Sequence, residues 1–72
     1  MNAVVFYVTR QRNGWSVERD RVVQSGHAHR ETAIACARKA AAAARVRGLS
    51  SSIRIQEDAG VWREERSFAP VG

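Results

Sequence analysis

Between Arg30 and Arg47 the chain carries neither glycine nor proline, and alanine, the residue of highest helix propensity, dominates the run. The stretch is therefore expected to be a helix. At about 100° per residue, Ala33, Ile34, Ala37, Ala40, Ala41 and Ala44 fall on one face. That face is almost entirely small, so the helix can lie close to whatever it covers, and the facing element has to supply the bulk. Glu31 in the first turn and Arg45 and Arg47 in the last suit the helix dipole, and Gly48 stands where a terminating glycine belongs. His29, at the N-cap position, is a poor capping residue.

The segments on either side read as strands. Residues 3–9 are a β-branched and aromatic run too short for a helix, and Asn13-Gly14 follows as a turn signal. Trp15 to Arg19 alternates apolar with polar, Asp20-Arg21 turns the chain, Val22-Val23-Gln24 makes a short third strand, and Ser25-Gly26 breaks the pattern. After Ser50-Ser51-Ser52, Ile53 to Gln56 alternates again, Asp58-Ala59-Gly60 turns, and residues 61–68 return as a last strand. The expected fold is α+β: an antiparallel sheet of about five short strands on one alanine-rich helix, in the order β-β-β-α-β-β, as a single domain over residues 1–72. Phe6, Val8, Trp15, Val17, Ile53 and Ile55 are the candidates to fill the space beneath the helix.

The first strand poses a question of its own. Val4, Phe6 and Val8 lie on one side and Val5 and Tyr7 on the other, yet one helix covers one side of a sheet. The last hairpin, curling across through Trp62 or Phe68, a homodimer, or another partner are the three candidates to cover the second side.

Size limits what such a fold can do. Seventy-two residues suffice for one small core, and of the thirty-two apolar residues twelve are alanine, leaving twenty with larger side chains. The single cysteine, Cys36, allows no internal disulfide, which fits a reducing, cytoplasmic setting. There is no apolar run long enough to cross a membrane, and the N-terminus lacks the features of a signal peptide, so neither membrane insertion nor export is expected.

Charge is the main functional signal. Twelve Lys and Arg against seven Asp and Glu give +5, and eleven of the twelve are arginine. Residues 1–56 hold ten basic and three acidic residues (10 − 3 = +7), and residues 57–72 hold two and four (2 − 4 = −2). Arg38 and Arg45 lie on one helical stripe, with Arg10 and Arg12 in a loop and Arg47 and Arg54 around the helix exit, a set able to track a phosphate backbone. Arginines also snorkel along helix edges and keep a small domain soluble, and no recognised nucleic-acid motif accompanies these. Tyr7, Trp62 and Phe68 are the candidate interface aromatics, and Trp15 and Trp62 are alternatively stacking platforms or core fillers.

Catalysis and metal binding find little in these residues. His27, His29 and Cys36 lack a fourth ligand and the close-spaced pairs of a structural zinc site, and nothing in the sequence builds an oxyanion site beside a Cys-His pair. Glu64 and Glu65 are adjacent on a strand and point to opposite faces, which argues against a paired acid and base. The five glycines sit singly at turns or termini, so there is no phosphate loop. No catalytic residue, metal or cofactor is expected.

The residues Phe6-Tyr7-Val8, Gly14-Trp15-Ser16-Val17-Glu18-Arg19, Ala33-Ile34-Ala35-Cys36-Ala37-Arg38 and Gly60 to Phe68 together resemble a family of short bacterial and phage proteins known only as a domain of unknown function. That resemblance implies strands around one helix and no established activity. In size, layout and the Gly60-Val61-Trp62 hairpin the chain is more distantly similar to phage anti-CRISPR proteins, which act by binding. The expected function is accordingly a non-enzymatic module that engages nucleic acid or a nucleoprotein, the alternative being a protein-binding inhibitor or adaptor.

Overall fold

The computed structural model describes residues 3–58 and 60–67. Five strands and one helix follow in the order β1 (Ala3–Gln11), β2 (Gly14–Arg19), β3 (Val22–His27), α1 (Arg30–Val46), β4 (Ser50–Asp58) and β5 (Val61–Ser67). They form one sheet, ordered β3-β2-β1-β4-β5, with α1 on one side. The class is α+β, with one helix and five strands as the sequence leads one to expect, but the sheet is mixed. β1 and β4 are parallel, and the other three neighbouring pairs are antiparallel. The helix explains this: β3 runs the same way as β1, α1 carries the chain back along the sheet, and β4 must then set out in the direction of β1.

Two strands are longer than their side-chain pattern suggests. β3 continues through Ser25 and Gly26 to His27, because Ser16 and Trp15 offer ladder partners to Gly26 and His27. β4 starts at Ser50, and Ser51, buried beneath the helix, donates its hydroxyl to the Ala41 carbonyl at 3.3 Å. A polar residue fits there because alanine leaves the helix backbone within its reach.

The core has the composition that an alanine face requires. Val4, Phe6, Val8, Trp15, Val17, Ile53 and Ile55 from the sheet pack against Ala33, Ile34, Ala37 and Ala41, with Ala40 and Cys36 partly buried beside them. α1 begins without a side-chain cap from His29. It ends in a Schellman motif, in which the Leu49 N–H reaches the Ala44 carbonyl at 3.0 Å and the Gly48 N–H reaches that of Arg45 at 2.9 Å, with Gly48 at φ 84°.

The β2–β3 turn is tighter than its residues favour. Asp20 and Arg21 lie at φ 53° and 66°, the left-handed pair that a two-residue type I′ hairpin turn needs, and Arg21 has no glycine-like freedom to adopt it. Arg21→Gly is expected to raise stability by about 1 kcal/mol. A urea melt that shows no gain would contradict this conformation.

A candidate binding surface on the uncovered sheet face

Cross-strand partners share a face, so the ladders define what lies opposite the helix. Tyr7 pairs with Glu18 on β2 and with Arg54 on β4, Arg54 pairs with Glu64, Gln56 with Trp62, Ser52 with Arg66, and Thr9 with Ser16. No described element covers this surface. The last hairpin does not fold over it: β4 and β5 extend the sheet in its own plane, and from β5 the Trp62 side chain reaches back, meeting Tyr7 edge to face at 6.2 Å between ring centroids. Phe68, the other candidate for that role, lies outside the described residues.

The face divides into two halves. On β1 and β2 it is a closed polar network, in which Thr9 donates to the Glu18 carboxylate at 2.9 Å, Ser16 lies 3.2 Å from the same carboxylate, and the Gln11 amide donates to both hydroxyls at 3.0 Å. These groups satisfy one another, which stiffens that half. On β1, β4 and β5 the face is aromatic and ionic. The Arg54 guanidinium stands 5.9 Å from the Tyr7 ring centroid, Trp62 remains 46% exposed, and Glu64 lies between Arg54 at 3.8 Å and Arg66 at 3.4 Å. An exposed tryptophan set edge-on against a second ring, which a cation flanks in turn, has less side-chain freedom to lose on binding than a free one.

The arginines singled out from the sequence do not form one cluster. Arg54 joins Tyr7 and Trp62 on the uncovered face. Arg10 is on the helix side, its guanidinium 5.4 Å from the Trp15 ring centroid, and Arg12 is exposed in the β1–β2 turn. Arg45 and Arg47 are exposed at the far end of α1, which at 17 residues is about 25 Å long. Arg38 makes a two-point contact with Glu65, Nε to one carboxylate oxygen at 3.0 Å and Nη2 to the other at 2.7 Å. This contact and the Coulombic pull of Arg38 and Arg63 hold the Glu65 carboxyl below its ordinary pKa against a smaller opposing effect of burial, and the Arg38 pKa is raised in turn.

Arg38 is one end of a chain of alternating charges, Arg30–Glu57–Arg63–Glu65–Arg38, that ties the start and the middle of α1 to the β4–β5 hairpin on the helix side. The acidic hairpin thus meets part of the basic body within the same chain. The helix, lined with alanine, is too slim to cover β5 with apolar contacts, and the ion pairs take their place.

His27 and Cys36 come together through a residue not singled out in advance. Ser25 Oγ lies 2.8 Å from His27 Nε2 and 3.4 Å from Cys36 Sγ, whereas His29 is exposed at the helix start. Among the described residues no group of three or more His, Cys, Asp or Glu is placed to hold a metal ion, and no helix is long and apolar enough to cross a membrane.

Glu64 and Arg66 belong to the candidate surface although neither was marked as part of it. Their signal was the even spacing 62, 64, 66, which puts all three on one face once β5 is known to be a strand. With this geometry in hand, comparison with known proteins adds one finding. Residues 6–68 match the model of a family described as an uncharacterized protein conserved in bacteria, DUF2188. The chain belongs to that family. The match runs from Phe6 in β1 through Phe68, so it takes in Tyr7, Arg54 and Trp62 as well as the whole of α1. No curated protein and no solved structure matches the chain.

Proposed function

We propose that this protein is a non-enzymatic binding module that engages single-stranded nucleic acid, or a nucleoprotein presenting it, across the uncovered sheet face. The observation that carries the reading is the Tyr7–Trp62 pair with Arg54 beside it, Trp62 and Arg54 exposed and Tyr7 half-buried, on three strands of a sheet that among the described residues has a helix on its other side only. Unpaired bases stack on such rings whatever their identity, and guanidinium groups hold the phosphates between them. The net charge of +5 adds a long-range attraction for a polyanion.

One observation favours the second reading, a protein partner. On the strands of this face Arg54 and Arg66 are balanced by Glu18 and Glu64, so the local charge is close to zero and the aromatic pair would act as an anchor within a mixed polar rim. Salt dependence separates the two readings.

Fluorescence anisotropy with labelled single-stranded DNA and RNA, and with duplex, is the test. Binding is expected to favour single strands, to weaken steeply with added salt, and to fall about tenfold or more in Tyr7→Ala and in Trp62→Ala. Absence of binding at low salt, or variants that bind as well as wild type, would remove the nucleic-acid reading. A stoichiometric protein complex that survives moderate salt and is weakened by the same variants would establish the other.

A further inference from the structure

β5 is an edge strand, and its ladder with β4 runs without interruption from Trp62 to Ser67, the one irregularity lying at Gln56/Asp58 near the turn. Its outer edge therefore presents a straight row of backbone groups to any second strand. Side chains specify which strand fits. Along β5 the order is Arg63, Glu64, Glu65, Arg66, preceded by Trp62. When two copies of Val61–Ser67 pair antiparallel with full overlap, Glu64, the middle residue, falls on the two-fold axis. Each remaining residue then faces a fixed partner.

On the helix side Arg63 meets Glu65 of the second copy, and Glu65 meets its Arg63. On the open side Trp62 meets Arg66 of the second copy, and Arg66 meets its Trp62. The register of greatest overlap thus makes two ion pairs and two cation–π contacts at once. Its one like-charge contact is Glu64 with Glu64, and each of these carboxylates already lies near Arg54 and Arg66 of its own chain. Slipping the strands by one residue in either direction would set the helix face of one copy against the open face of the other.

We propose that this protein self-associates through β5, two copies pairing antiparallel about an axis at Glu64 to give one ten-stranded sheet. The alternating charges that run from Arg30 to Glu65 within one chain would continue into the second, since Arg63 and Glu65 are the residues that face each other across the axis. Growth stops at two copies because the opposite edge, β3, bends at a register shift against Val17/Glu18 and offers no straight row for a further strand. The proposal goes beyond the binding reading above and does not depend on it.

Symmetric disulfide trapping is the deciding experiment, on a Cys36→Ser background. Glu64→Cys places two thiols opposite each other across the axis, with Cα atoms about 5 Å apart, a separation that a disulfide spans. It is expected to give a covalent dimer under mild oxidation. Trp62→Cys puts its two copies four residues out of register, about 13 Å apart, and is expected to give none. Sedimentation of the wild type should show a monomer–dimer equilibrium between micromolar and millimolar concentration, and Arg66→Ala should raise its dissociation constant about tenfold. A wild type that stays monomeric throughout overturns the proposal. So does a dimer that Glu64→Cys fails to trap, or one that Trp62→Cys traps instead.

Discussion

Ile55→Ala is expected to cost about 4 kcal/mol, in the upper part of the range for deleting a buried aliphatic side chain. Ile55 has no exposed surface, sits on β4 between β1 and β5, and pairs with Val8, itself fully buried. What fixes the magnitude is the surface across from it. The cost of a deletion depends on how far the surroundings relax into the space left behind, and the helix offers Ala33, Ala37 and Ala41, which have no side chain beyond Cβ to move. The cavity therefore stays open unless the whole helix shifts. A chain of 72 residues has a total stability of roughly 4–11 kcal/mol, so the variant should lose at least about a third of it. Urea melts should show a lower midpoint at an unchanged slope, and a loss under 1.5 kcal/mol would mean that the helix does settle into the gap.

Gly14→Ala is expected to cost about 3 kcal/mol for a different reason. Gly14 opens β2 at φ 152°, and a Cβ built there would stand 2.3 Å from the carbonyl oxygen of His27. No rotamer change relieves that contact, because the obstacle is backbone. Either the end of the β2–β3 ladder opens, taking the Trp15–His27 pair with it, or the strand twists away from Trp15 in the core. Gly26→Ala is the control: the same addition meets nothing within 4 Å, and its stability should match wild type. Equal stability of the two variants would show that the close approach at Gly14 is not needed.

Both predictions concern the layer between helix and sheet, and that layer was largely legible in advance. Helical spacing picked out Ala33, Ile34, Ala37, Ala40, Ala41 and Ala44, all buried except Ala40, which is partly buried, and strand alternation picked out Phe6, Val8, Trp15, Val17, Ile53 and Ile55, all buried as well. Local periodicity reports the buried face of each element faithfully, because the same face must be apolar along its whole length. The terminating Gly48 was readable on similar grounds, since a left-handed position after a helix selects for glycine.

The candidate surface was legible only in fragments. Tyr7, Arg54 and Trp62 each stood out as residue types, but they are 47 and 8 positions apart in the chain and meet through the order β1-β4-β5. That order follows from the helix returning the chain across the sheet, which alternation within a strand does not encode. Arg38 shows the same limit. Its place on an exposed helical stripe was plain, whereas its two-point contact with Glu65 arises because β5 lies along the flank of a helix too slim to cover it.

By itself, then, the sequence determined which segments are helix and strand, which face of each is buried, and how much bulk each side contributes, since these follow from propensity and period along a single element. The tertiary structure alone decided the parallel pairing of β1 with β4, the pairing of Glu57 and Glu65 with the helix arginines Arg30 and Arg38, and the meeting of Tyr7 with Trp62 on an uncovered face. Those depend on which elements become neighbours, and neighbours are chosen by the packing of the whole chain.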